Sequence, residues 1–336
     1  MTKTLFGFLP DGRGVHEYTL KSDKMTVCIL DMGGIVRRLL VGNQDIVGGY
    51  DTLAEYLQDD SYQGALIGRV GNRIGNATFT MDGKTFRLAQ NDNGRHHLHG
   101  GAEGFNRKIW TVDRADDASL ALSYVSLDGE EGYPGTLTVR VVYRVVEDAL
   151  VISYTAECDK NTPINLTNHT YFNLNGYGGE NILGHTVTIH ADTVTEVDDD
   201  LIPNGNHPSV ENTPFDFRTP HTVGERLSEA FPGYDHNFIF AGAPTEKVAD
   251  LTLPHVATVK SALRTMDVFT DQPCMQFYTG NFLGGKPDFK GGVERRARHA
   301  FCMETQTEPD SVNHGGGILP AGEVYHHTTV YRIRNY

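Results

Sequence analysis

The chain has 336 residues, four cysteines and a formal charge of −14, from 29 Lys and Arg against 43 Asp and Glu. That balance excludes a nucleic-acid binder, whose affinity runs on cations neutralising phosphates, and it disfavours docking on anionic lipid. A chain this long buries roughly three quarters of the surface it exposes when unfolded, so it holds a substantial core.

The N-terminal "MTKTLFGFLPDGRG" has no apolar stretch and no small-residue cleavage site, so no signal peptide is expected. No run approaches the roughly 18 apolar residues of a membrane span, which makes the cytoplasm the expected location. Cys28, Cys158, Cys274 and Cys302 form no C-x-x-C pair and sit in apolar or strand-like runs. They read as reduced, buried thiols, as a reducing compartment allows.

"TLAEYLQDD" (52–60) predicts about two helical turns with Asp51 or Thr52 as cap. "GRVGNRIGNATF" (68–79) interleaves Gly, Asn and Arg but matches no phosphate loop. It is either a binding loop or a turn with two solvated arginines. "ATFTMDGKTFRLAQ" (77–90) alternates on both sides of Asp82-Gly83, a pair that supplies positive φ to a hairpin turn. Residues 119–127 and 135–158 continue the strand pattern, the latter as two strands joined at Glu147-Asp148. "GHTVTIHADTVTEV" and "AFCMETQT" alternate in the same way, while "HTVGERLSEAF" (221–231) predicts a second helix. No composition shift divides the chain, although a split near 160 stays open. The expectation is one all-β domain over 1–336, a large antiparallel β-sandwich with few short helices.

Four stretches carry chemistry. Read as a strand, "TPINLTNHTYFNLNG" (162–176) places Asn165, Thr167, His169, Tyr171 and Asn173 on one face. That face is polar without fixed charge, which suits a ligand made of hydroxyls or an internal polar network. "NGRHHLHGG" (93–101) sets His97 and His99 on one side if extended, and its glycines let backbone pass close to a ligand. With Glu103 the histidines imitate a cupin metal motif, but Asn91 and Trp110 stand where that motif asks for glycine. A metal held by His97, His99 and a distant ligand remains the alternative. In "FCMETQTEPDS", Glu304 shares a face with Cys302 and Gln306; desolvation there would raise its pKa and make it a better base. "ERRARH" (294–299) is a solvated loop or a phosphate holder.

Together "GRVGNRIGNATF", "LHGGAEGFNRKIW", "GYPGTLTV", "NLTNHTYFNL", "TPFDFR", "YDHNFIF", "QFYTGNFL" and "METQTEPDSVNH" resemble the aldose 1-epimerase family, in family order, from about residue 10 to the C-terminus. The resemblance implies a galactose mutarotase-like supersandwich with an open cleft, no cofactor and no metal. It implies a free monosaccharide as partner and exchange between its α and β anomers. Carried over by position, Glu304 is the base, His169 the acid and His99 a second catalytic imidazole. Asn72, Arg73 and Asp235, with Gln276 as a weaker match, are ligands of the sugar hydroxyls. His96 and His97 are left as loop residues. Base and acid are expected on opposite sides of the ring. A monomer or homodimer fits. Rival readings are a non-catalytic sugar sensor, a glycoside hydrolase using Asp235 and Glu304, and a hexose-6-phosphate 1-epimerase using the arginine cluster.

Overall fold

Period-two patterning becomes antiparallel sheet along most of the chain, in a computed structural model that describes residues 2–230 and 232–336. The expected hairpin pairs Thr78–Met81 with Lys84–Arg87. Both turn residues, Asp82 and Gly83, take positive φ (52° and 72°), which matches the twist of the flanking strands. Leu137–Val146 and Ala149–Cys158 pair in register over ten residues, with Leu137, Val139, Val141, Tyr143 and Val145 turned inward.

Three sheets build the frame. The largest has ten strands and runs from Thr111–Ala115 through Leu137–Val146 and Ala149–Cys158 to Val324–Asn335, then on to Arg264–Thr270, Leu251–Lys260 and Thr186–Ile189. Val324–Asn335 bonds Ala149–Cys158 on one side and Arg264–Thr270 on the other, so the sheet is continuous across residue 160. A five-stranded sheet comes from the first 45 residues. A four-stranded sheet joins Ala191–Val194, Asp235–Phe240, Cys274–Tyr278 and Cys302–Gln306. Leu39, Val141, Ile152, Val268, Phe277 and Met303, from all three sheets, share one buried cluster. Each such side chain contributes about 1.5–3 kcal/mol on burial. All four cysteines are free and buried, as expected.

Helix is scarce. Leu53–Gln58 is capped by Thr52, whose hydroxyl accepts from the Glu55 N–H while the Glu55 carboxylate accepts from the Thr52 N–H. The expected helix at 221–231 does not form. His221–Thr222 instead pairs with Thr186–Val187 at the sheet edge, and only a short 3₁₀ turn, Leu227–Ala230, follows. Phe231 lies outside the described residues. Edge pairing outweighs a weak local preference there.

Candidate active site

The four-stranded sheet supplies one wall of the site, and strand alternation decides which residues it shows. Directly opposed residues share a face, and Asn237, Gln276 and Glu304 oppose one another across three strands. Asp235, Tyr278 and Cys302 form the next row on that face. The intervening Phe238, Met275, Phe277 and Met303 enter the core. A strand reading "CMQFY" or "CMETQ" therefore gives one face to packing and the other to chemistry.

The second wall comes from short pairings. His97–Leu98 bonds Arg73–Ile74, which brings residues 72–74 beside 97–99. His99 then departs from extended geometry, at φ 51°, so strand alternation ends there. Its ring enters the cleft, whereas His97 stays in the interior, donating from Nδ1 to the Ala89 carbonyl (2.8 Å) and accepting the Tyr133 hydroxyl at Nε2 (2.6 Å). His96 accepts the Asn76 N–H at Nδ1. The expected common side for His97 and His99 is thus not seen; His96 is a fastened loop residue, while His97, expected in a loop, sits in the short strand His97–Leu98. Gly100 and Gly101 approach protein and not a ligand: a Cβ on Gly100 would overlap the Gly68 carbonyl, and one on Gly101 the Glu131 carboxylate.

His169 arrives on a segment that the sequence reads as a strand with a ligand-facing side. The segment pairs in short pieces, at Thr162–Pro163 and Thr167–Asn168 with single bridges at Asn165 and Phe172, and residues 162–174 are buried on both faces. Of the polar row, Asn165 serves backbone groups of Gly71 and Thr307, and Asn173 those of Glu180 and His299. Only His169 and Tyr171 reach the cleft. The alternative of an internal polar network holds for Asn165 and Asn173, while the buried Thr167 hydroxyl has no protein partner.

All seven expected residues line one cavity of about 210 Å³: Asn72, Arg73, His99, His169, Asp235, Gln276 and Glu304. His169 Nε2 stands 3.5 Å from Glu304 Oε1, and its Nδ1 is 3.5 Å from Cys302 Sγ. No ring fits between groups that close, so the expected placement on opposite sides is corrected; they stand side by side. The His99 and His169 rings meet edge to face at 5.2 Å. Asn72 donates its N–H to His99 Nδ1 (3.1 Å), so the His99 proton sits on Nε2. Gln276 donates to Asp235 Oδ1 (2.7 Å), and Arg73 donates from Nε to Asp92 (2.8 Å). Two buried acceptors, Glu304 Oε2 and Gln276 Oε1, have no protein partner.

Burial sets the electrostatics. It pushes the Glu304 carboxyl well above its ordinary range, helped by the neighbouring Asp235 charge and opposed by Arg73. It lowers His169 to about 4. His99 falls well below its usual value for the same reason, with His169 and Arg73 adding repulsion. Enclosure also raises Asp235, against the pull of Arg73 and Gln276. Both shifts favour the neutral forms, the protonated Glu304 carboxyl and the unprotonated His169 ring. His99, His169 and Glu304 place potential ligand atoms within 4.8 Å of one another. The outer shell does not suit a metal, because a ligating histidine donates its second N–H, whereas His99 Nδ1 accepts one.

Sequence reasoning missed Tyr62 and Tyr278 as lining residues. Tyr62 stacks on His169 at 5.9 Å and meets His99 edge-on at 4.7 Å, from a loop position with φ 58° that carries no periodic signal. The arginine readings also change. Arg69 is buried and donates to five different residues around it, Arg295 is buried against Asp59, and Arg296 pairs with Glu294. Across 294–299 the solvated-loop reading holds for the exposed Arg296 and fails for Arg295, whose guanidinium is taken up by protein groups.

An "Aldose 1-epimerase" family model matches residues 16–332. Galactose mutarotases of Bos taurus and Homo sapiens are 44% and 42% identical to the chain; each alignment covers 99% of this chain and 98% of the relative. An aldose epimerase homologue from C. elegans superposes with TM-score 0.85 at 28% identity, covering 95% of this chain and 99% of its own. A galactose 1-epimerase from Lactobacillus acidophilus shares the fold, with TM-score 0.86 at 24% identity, covering 99% of this chain and 98% of its own. With its cleft residues gathered as the motifs foretell and the match running nearly end to end, the chain belongs to the aldose 1-epimerase family.

Proposed function

We propose that this aldose 1-epimerase exchanges the anomers of galactose or glucose with Glu304 as base and His169 as acid. The observation that carries the reading is the 3.5 Å contact between them, with Glu304 Oε2 buried and unpartnered beside it. The two oxygens that must exchange protons, the C1 hydroxyl and the ring oxygen, are bonded to one carbon. Adjacent acid and base suit them better than groups on opposite faces.

In the reactive form Glu304 is the carboxylate and His169 the imidazolium. Glu304 takes the C1 hydroxyl proton, the C1–O5 bond breaks, and His169 delivers its proton to O5. The product is an open-chain aldehyde. Rotation about C1–C2 presents the other carbonyl face, and ring closure returns both protons. His99, neutral with its proton on Nε2, donates to the oxygens at C1 and stabilises charge developing there. Asp235 and Arg73, with Asn72, hold the distal hydroxyls, and Gln276 orients Asp235. The ring is thereby gripped at one end and free to turn at the other. No metal takes part.

The substrate is a free monosaccharide, and the chain acts as a monomer or homodimer folded as one unit. Its four unpaired thiols suit the cytoplasm. Among the described residues no helix is long and apolar enough to cross a membrane. Polarimetry on freshly dissolved α-D-galactose and α-D-glucose tests the reading. Equilibration speeds up over buffer, with EDTA making no difference. Sugar binding without acceleration points to the sensor, and loss of activity in EDTA restored by a divalent cation points to a metal enzyme.

A further inference from the structure

Two walls of the cleft are made of loop. One is the stretch that carries Asp60, Ser61 and Tyr62; the other carries Phe282 and Leu283. A single buried side chain outside the cavity touches both. Arg295 donates from one guanidinium nitrogen to the Tyr50 hydroxyl (2.7 Å), Ser61 Oγ (3.2 Å) and Asp59 Oδ1 (3.3 Å). From the other it donates to the carbonyls of Gly284 (2.7 Å) and Lys286 (3.4 Å).

Asp59 extends the grip. Its carboxylate accepts the N–H groups of Ser61 (3.0 Å) and Gln63 (2.9 Å) and the Tyr50 hydroxyl (2.8 Å). Tyr62 is thus held on both sides in a left-handed conformation that few non-glycine residues adopt. Its ring covers His169 and His99. Phe282, directly before Leu283 and Gly284, is 70% exposed at the rim, while Leu283 is buried and the Phe282 N–H donates to the Tyr278 hydroxyl (3.0 Å).

We infer that Arg295 is a positioning residue that sets the width of the sugar cleft by tying these two loops together through Asp59 and the Gly284 carbonyl. The inference rests on the epimerase reading above. A guanidinium suits the task because its planar fork reaches two groups at once, whereas an ammonium is a point charge. Arg295→Lys keeps a cation beside Asp59 but cannot serve both loops.

The test is steady-state anomer exchange on galactose, with thermal melts in parallel. Arg295→Lys raises KM at least about fivefold and leaves kcat within about threefold, the pattern of lost ground-state binding. An unchanged KM, or a loss confined to kcat, overturns the inference. Tyr50→Phe removes one hydroxyl from the joint with almost no change of shape, and raises KM at least about twofold on the same principle. It decides the matter if Arg295→Lys does not fold, and an unchanged KM there overturns the inference equally. Failure of the wild type to accelerate exchange is a different result and counts against the epimerase reading itself.

Discussion

In the proposed mechanism two side chains define the chemistry, each needing the other. Burial works against a lone carboxylate and a lone imidazolium, pushing Glu304 up and His169 down. Side by side they can pass a proton between them, and in the proposed mechanism the reactive form carries it on His169. Glu304→Gln keeps the shape and removes the base. His169→Asn keeps a polar group and removes the titrating ring. Each slows the approach to anomeric equilibrium by at least about 10², the ordinary worth of a positioned acid or base. Optical rotation measures this, and a variant running at the wild-type rate strikes its residue from the mechanism. His99 has another part, since its Nδ1 is already occupied by the Asn72 N–H. In the proposed mechanism it donates one hydrogen bond and carries no proton between sugar oxygens.

The turn that delivers His99 depends on glycine for reasons of space. Gly100 lies at φ 84°, and a Cβ there would collide with the Gly68 carbonyl. Gly100→Ala therefore destabilises the fold by more than about 1 kcal/mol, from conformation and overlap together. A denaturant melt checks this; unchanged stability means the loop has slack. At this scale the sequence was uneven as a guide. Asp82-Gly83 and the alternation at 302–306 were legible because a turn residue and a period of two are local signals. Residues 162–176 left two readings open, a ligand face or an internal network, because alternation cannot tell a cleft-lining face from one buried in protein. The 221–231 stretch misled because its fate was settled by pairing with Thr186–Val187. Tyr62 was invisible, since its place depends on Asp59 and Arg295, the latter distant in the chain. The seven cleft residues were legible only through ordered motifs, for no single segment brings them together.

Across the whole molecule the cleft sits on a core that contains deeply buried histidines. His327 is lowered to about 3 by burial, with its Nε2 donating to the Leu166 carbonyl. In the unfolded chain its pKa is near 6.5. The unfolded form therefore binds the extra proton first as pH falls, and the stabilising contribution, complete above 6.5, is lost on the way down to the folded value. His327→Gln keeps a donor and does not titrate. The wild type's advantage over it narrows by about 1.4 kcal/mol for each pH unit below 6.5. Urea unfolding at pH 7, 6 and 5 reads that gap, and a constant gap means His327 takes up its proton as readily in the fold as in the unfolded chain. The same continuous packing joins Val324–Asn335 to both halves of the large sheet and holds Met303 and Phe277 beneath the cleft. It fixes the 3.5 Å spacing on which the proposed chemistry turns. That spacing is best tested by a double-mutant cycle read as the decay of optical rotation of α-D-galactose, with wild type, Glu304→Gln, His169→Asn and the double variant. If the two act as one couple, the double variant is slower than the slower single variant by no more than about threefold. If the two losses multiply, they act independently and the account is wrong.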